Sequence, residues 1–278
     1  MPASQIALLG AVAGLTIYLG LPLGRMSSPM PRAKAFLNAT AIGILIFLLW
    51  DVLSHAWQPA ATALSGHDYG RAVLYGGVML GCLGIGLIGL VYLDRWIARR
   101  ANRIRPAGPG AATAVPALVP PADLARARAV QLSLLIAIGI GLHNFGEGLA
   151  IGNSAATGKL SLAILLVIGF GAHNATEGFG IVAPLASAGV RPTWARLGLL
   201  GLIGGGPTFL GTLVGQAVTA PLLGVAFLAL AAGSILYVVI ELLAVARKTN
   251  LKEIVTWAIL LGLGLGFVTD ALVTAAGG

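Results

Sequence analysis

Two short stretches of the sequence carry the same chemically active side chains at the same spacing. One reads HNFGEG from His143 to Gly148, and the other reads HNATEG from His173 to Gly178. Both stretches follow the pattern HNxxEG. Residues four apart in an α-helix differ by about 40° in direction, so each stretch places an imidazole and a carboxylate on one helix face, with an asparagine beside them.

These residue types indicate a site for a divalent metal ion. Neutral imidazole combined with carboxylate suits zinc, and also iron(II), manganese, cobalt and cadmium. Two neighbouring antiparallel helices would bring together His143, Glu147, His173 and Glu177, and a cation would offset the repulsion between the two carboxylates. The alternative is that these groups form hydrogen bonds between helices. The duplication favours metal, because such bonds do not require two carboxylates facing each other.

The elements that hold these motifs are predicted to be membrane-spanning helices. The chain has 278 residues, of which 58% are hydrophobic and 9% are charged, whereas soluble domains average about 25% charged residues. Most of the exterior must therefore face lipid. The sequence contains eight apolar stretches near the length of about 20 residues that a spanning helix needs. We predict an all-α integral membrane protein, a single transmembrane domain over residues 1–278, with spans at about 5–23, 36–57, 72–96, 129–152, 160–185, 197–218, 221–245 and 254–275.

Charge distribution predicts the orientation of these spans. Residues 101–121 hold five prolines and two glycines, and we expect a flexible loop over about 99–128, between the third and fourth spans. Fifteen of the 17 lysines and arginines fall on the side of this loop, and Arg71 and Lys159 fall on the other. Basic loops stay cytoplasmic, so we expect both termini outside the cytoplasm. The same asymmetry explains the net charge of +8 without a nucleic-acid partner.

Three further ionisable residues within the predicted spans are candidates for function, because charged groups are costly inside a bilayer. Asp51 and His55 form an i,i+4 pair toward the outer end of the second span. They could supply another ligand or a route by which the ion reaches the site, or could simply form a hydrogen-bonded pair. Glu241 lies toward the cytoplasmic end of the seventh span, where it could lie on the route by which the ion leaves the site.

The motifs resemble those of the ZIP family of divalent metal transporters, in particular its bacterial zinc-transporter-like branch. In that family the fourth and fifth of eight spans carry HNxPEG-type motifs. The eight spans, the outward termini and the long cytoplasmic loop also match. A further match is GSILYVVIE, from Gly233 to Glu241, which is similar to a seventh-span stretch that ends in an acid.

This resemblance implies a carrier rather than an enzyme. It implies uptake of divalent cations into the cytoplasm by alternating access, with zinc foremost and iron, manganese, cadmium or cobalt as other substrates. It also implies a homodimer in the lipid bilayer of the bacterial inner membrane. The primary metal position would be lined by His143, Glu147, His173 and Glu177. Asn144 and Asn174, with the same two glutamates, would border an adjacent second position.

Four positions depart from the family pattern, and two of them, Asn174 and Gly206, weaken that second position. Gly146 and Thr176 replace the prolines of the two motifs, and Asn174 stands where an acid is common. Gly206 precedes Pro207 in the sixth span, where the family often has glutamate. With these carboxylates missing, we expect one strong metal site rather than a binuclear centre.

Two other kinds of function stay open from the sequence. A metal-dependent intramembrane hydrolase would use histidine and glutamate to hold zinc and activate water. A membrane sensor would bind metal without transporting it.

Overall fold

A computed structural model describes residues 2–25, 31–103, 120–158, 160–217 and 220–275, and all secondary structure in them is helical. The elements are α1 (Ala3–Leu15), α2 (Ile17–Gly20), a short 3-10 helix (Leu21–Arg25), α3 (Pro31–Ser65), α4 (Tyr69–Arg103), α5 (Pro121–Ala156), α6 (Leu160–Ser187), α7 (Trp194–Gly215), α8 (Pro221–Arg247) and α9 (Lys252–Ala275).

Within the described ranges, eight segments are long and apolar enough to cross a membrane. The first, Ala3–Arg25, combines α1, α2 and the 3-10 helix. It is interrupted at Thr16, whose backbone N–H and side-chain hydroxyl both donate to the Ala13 carbonyl. The other seven segments correspond to α3 through α9. The predicted all-α fold with eight spans is therefore confirmed.

The loop expected over residues 99–128 is wrong at both ends. α4 continues to Arg103 and α5 begins at Pro121. Arginine and alanine favour helix, and a helix can leave the bilayer where its charges meet water. Proline, which lacks a backbone N–H, is tolerated in the first helical turn because the N–H groups of that turn have no partner within the helix. The rest of the predicted loop, 104–119, lies outside the described residues.

The helix ends differ from the predicted spans by a few residues elsewhere. α7 ends at Gly215, before the predicted end of the sixth span at residue 218, because the chain turns at residues 216–217. The final residue of that predicted span falls outside the described part of the chain. The other seven predicted spans lie within the corresponding helical segments.

The helices pack as two bundles. In the first bundle, α7 packs against α5 and α1, and α6 packs against α5 and α2. In the second bundle, α3 packs against α9 and α8, and α4 packs against α8. The contact of α5 with α8 is the most extensive one that joins the two bundles. Both HNxxEG motifs therefore belong to the first bundle.

Glycines let helices of the same bundle meet backbone to backbone. A Cβ atom added to Gly262 of α9 would lie 2.9 Å from the Cα of Gly43 in α3. One added to Gly14 of α1 would overlap the carbonyl oxygen of Gly205 in α7. Small residues at helix interfaces in membranes permit this close packing, which explains much of the glycine content.

The boundary between the bundles is lined mainly by aliphatic side chains. Gly139 of α5 faces Val238 of α8, and Gly180 of α6 faces Leu242, with 3.3 Å between an added Cβ and Cδ1 of that leucine. A polar contact joins α5 to α4, where the Gln131 amide donates to the Asp94 carboxylate over 2.7 Å. Helices of the first bundle, by contrast, are joined by several buried hydrogen bonds described below.

Candidate metal centre

The structure brings the four predicted metal ligands together between α5 and α6. Nε2 of His143 lies 3.0 Å from Oε1 of Glu147, one turn along α5, and 3.9 Å from Oε1 of Glu177 in α6. The same Oε1 of Glu147 contacts Nε2 of His173. The two imidazole ring centres are 6.3 Å apart. Each helix contributes one imidazole and one carboxylate, as the i,i+4 spacing predicts.

All four side chains lie in the protein interior. Their residues are 2%, 5%, 8% and 1% exposed for His143, Glu147, His173 and Glu177. Both carboxylate oxygens of Glu177 lack a hydrogen-bond partner, as do Oε2 of Glu147 and Nδ1 of His143. Buried polar atoms are nearly always partnered, and unpartnered charges are costly. The cluster therefore needs a cation or protons to complete it.

The spacing of the donor atoms fits a single metal ion. One ligand atom from each of His143, His173 and Glu177 lies within 4.8 Å of the others. Nitrogen and oxygen ligands about 2.0–2.2 Å from a tetrahedral zinc stand about 3.3–3.6 Å apart. Atoms that lie at most 4.8 Å apart reach that separation when each pair closes by at most about 1.5 Å. Glu147, which contacts both histidines, completes a set of two nitrogens and two carboxylates.

The asparagine and glycine of the first motif attach α5 to α7. Nδ2 of Asn144 donates to the Gly204 carbonyl over 3.0 Å. A Cβ atom added to Gly148 would lie 2.8 Å from the backbone nitrogen of Thr212 and would overlap the carbonyl oxygen of Thr208. The HNxxEG pattern thus combines two features, because its histidine and glutamate belong to the four-residue cluster while its asparagine and glycine contact the neighbouring helix.

The second motif attaches α6 to the first span in the same way. Nδ2 of Asn174 donates to the Ala13 carbonyl over 3.2 Å, at the break between α1 and α2. A Cβ atom added to Gly178 would lie 2.9 Å from Cα of Gly20. The sequence alone did not reveal this second feature. The Oδ1 atoms of both asparagines are buried and unpartnered, so each is an acceptor without a donor.

The remaining candidate residues lie outside the four-residue cluster. Nδ1 of His55 is 3.3 Å from Oδ1 of Asp51, and their side chains are 62% and 29% exposed. Glu241 is partly buried on α8. The ligand atoms of these three do not join the cluster found among the described residues. Thr176, in the place of a motif proline, donates its hydroxyl to the carbonyl of His173 over 2.6 Å.

Residues 121–270 match the protein-family model described as ZIP Zinc transporter. This match covers more than half of the chain and includes both motifs. The chain belongs to the ZIP family. ZIP proteins transport divalent metal cations and are not enzymes, so the intramembrane hydrolase is excluded. No curated protein matches the chain.

The unpartnered carboxylates lead to a prediction about stability. The Glu177→Gln variant replaces a buried carboxylate, whose two oxygens have no hydrogen-bond partner, with a neutral amide, so without metal it should unfold at a higher temperature than the wild type. Zinc at about 100 times its dissociation constant should stabilise the wild type by about 2.7 kcal/mol and the variant by much less. Thermal unfolding in detergent, with and without zinc, measures both effects.

Glu253→Gln is the matched control, because Glu253 is an exposed acid at the start of α9. It should behave as the wild type in both conditions. Equal stabilisation of wild type and Glu177→Gln by zinc would contradict the assignment of Glu177 to the ion.

Proposed function

We propose that this ZIP protein carries zinc into the cytoplasm. The observation that supports this most directly is the buried set of four nitrogen and oxygen donors, spaced for one ion and otherwise incomplete. Two imidazoles and two carboxylates suit zinc, and the family description names zinc. Iron(II), manganese, cobalt and cadmium are the other substrates that this donor set accepts.

His143, Glu147, His173 and Glu177 are the proposed transport site. Asn144 and Asn174 border it through their Oδ1 atoms. Because their amide nitrogens are engaged with backbone carbonyls, the asparagines offer one neutral acceptor each and no charge. A second ion beside the first would have to share the same two glutamates. We therefore propose a single-metal site.

The two bundles offer a mechanism of alternating access. All four ligands belong to the first bundle, so the ion can travel with it while its coordination is kept. Hydrogen bonds from Asn144, Asn174 and Ser133 tie the helices of that bundle together. Its boundary with the second bundle is mainly aliphatic, and such a surface can slide with little loss of hydrogen bonds. Movement of the first bundle would thus expose the site to each side of the membrane in turn.

Metal uptake into proteoliposomes tests the carrier directly. Wild-type protein should take up zinc, and the Glu147→Ala/Glu177→Ala double variant should lose more than about tenfold in rate, since even indirect changes at metal sites cost 10–100-fold. Asp123→Ala/Glu253→Ala is the control with the same change in charge at exposed positions. Zinc binding by the wild type without any flux would instead favour a sensor.

We further propose that Asp51 and His55 lie on the outer route to the site, and Glu241 on the route to the cytoplasm. Asp51 and His55 form a partly exposed pair on α3, and α3 packs directly against α6, which carries two of the ligands. A carboxylate at the membrane surface can raise the local cation concentration. Glu241 lies on the last turns of α8, near the opposite end of the bundle.

A kinetic experiment separates such a recruiting role from ligation. Asp51→Asn should raise the zinc concentration for half-maximal uptake severalfold and leave the maximal rate nearly unchanged, with an effect that shrinks at high ionic strength. Asp68→Asn, an exposed acid in the turn between α3 and α4, is the control. A loss of maximal rate in Asp51→Asn equal to that of Glu147→Ala would show instead that Asp51 is a ligand.

We also propose that the protein lies in the bacterial inner membrane as a homodimer, with both termini outside the cytoplasm. The concentration of basic residues on one side supports this orientation.

In a Cys82→Ser background, a cysteine at position 112 should resist an impermeant thiol reagent in intact cells and react after lysis. Labelling before lysis would reverse the orientation. The mass of the detergent-solubilised particle tests the dimer.

A further inference from the structure

A cavity of about 460 Å³ lies between the two bundles near their basic ends. Its walls come from the 3-10 helix at Leu23, the first turns of α3, the last turns of α6 and the end of α8. We call it the α3–α6 groove. Two lysines, Lys34 and Lys248, line it, and no acidic residue does. Neither lysine forms an ion pair with any residue in the described ranges.

Three of the five α6 residues that line the groove lie on the side of the helix away from the metal ligands. At about 100° per residue, Phe179, Val182 and Ala186 lie about 120–180° from the directions of His173 and Glu177. Val182 is only 3% exposed, and a Cβ atom added to Gly24 of the 3-10 helix would lie 2.8 Å from it. The groove is therefore enclosed by helices on this side. Its lysines would also repel a leaving cation, so a metal route is a poor explanation.

Apolar walls with two ammonium groups at one end match an anionic lipid. The aliphatic and aromatic side chains of Leu23, Phe179, Val182 and Val245 would contact an acyl chain. The first-turn amides of α3 have no partner within the helix and form its positive end, so they would add to the attraction that Lys34 and Lys248 exert on a phosphate.

A buried amide supplies an independent indication of a polar ligand. Asn38 is 5% exposed and lines the groove. Its Oδ1 atom has no hydrogen-bond partner, and its Nδ2 atom is a marginal 3.5 Å from the Leu242 carbonyl. It lies one turn, about 6 Å, deeper than Lys34. A hydrocarbon chain alone would leave this amide unpartnered, whereas the glycerol and ester region of a phospholipid would lie at its level.

We propose that the α3–α6 groove binds one anionic phospholipid, with its phosphate at Lys34 and Lys248 and its acyl chain along α6. The groove takes walls from both bundles, so the bound lipid holds the two bundles in the arrangement described above. A change in their relative position would require the lipid to shift or leave. Anionic lipid in the leaflet that faces the basic ends would therefore regulate the exchange of conformations proposed for transport.

Native mass spectrometry of the detergent-solubilised protein with phosphatidylglycerol or phosphatidylcholine tests this. Wild type should retain one phosphatidylglycerol in preference to phosphatidylcholine. Each lysine near an anionic headgroup contributes about fivefold, so Lys34→Gln/Lys248→Gln should weaken phosphatidylglycerol binding about 30-fold. Millimolar inorganic phosphate should not compete, because the acyl chain contributes to binding; competition would show that the site takes free phosphate instead.

Two further variants keep the result specific. Lys252→Gln removes a nearby exposed lysine that does not line the groove, and it should bind as the wild type does. Ala186→Phe narrows the groove without changing charge and should also weaken binding. Equal binding by the wild type and the double lysine variant, or equal losses with Lys252→Gln, would overturn the proposal. Because lipid retention is measured without metal, it can fail or succeed independently of the transport assay.

Discussion

The burial of two carboxylates beside two imidazoles is the constraint on which the rest of this structure depends. Glu147 and Glu177 are 5% and 1% exposed inside a protein whose surroundings are hydrocarbon, where several of their oxygens have no partner. Such a cluster can persist only in a framework rigid enough to hold like charges close together. The helices around it supply this rigidity through backbone contacts rather than through large side chains.

This framework explains why each HNxxEG motif contains an asparagine and a final glycine in addition to its histidine and glutamate. In α5 the asparagine reaches the Gly204 carbonyl, and in α6 its counterpart reaches the Ala13 carbonyl. The glycine that ends each motif admits a neighbouring backbone at the next turn. Each ligand helix is thus fixed to a supporting helix on both sides of its glutamate. The two supports, the first span and α7, then meet through Gly14 and Gly205, which closes the bundle around the four-residue cluster.

Most of the architecture could be predicted from the sequence because a bilayer restricts it strongly. Length, apolarity and the distribution of basic residues were enough for eight helical spans. The ends of the loop after the third span were mispredicted, since proline and glycine content signals where a helix must stop but not how far arginine-rich ends extend it. The break at Thr16 also escaped the sequence, because it depends on hydrogen bonds to Ala13 rather than on proline or glycine.

The grouping of His143, Glu147, His173 and Glu177 could be predicted because a repeated i,i+4 pattern fixes direction without knowledge of the packing. The tasks of the asparagines and glycines could not, since they depend on which helix lies against each motif. The HNxxEG pattern therefore combines two separate requirements, which are the proposed coordination of the ion and the assembly of the helices. A damaging substitution at Gly148 or Gly178 would report on assembly, whereas one at Glu147 or His173 would report on the ion. Mutational surveys that score the motif as a single unit would merge these two causes of inactivity.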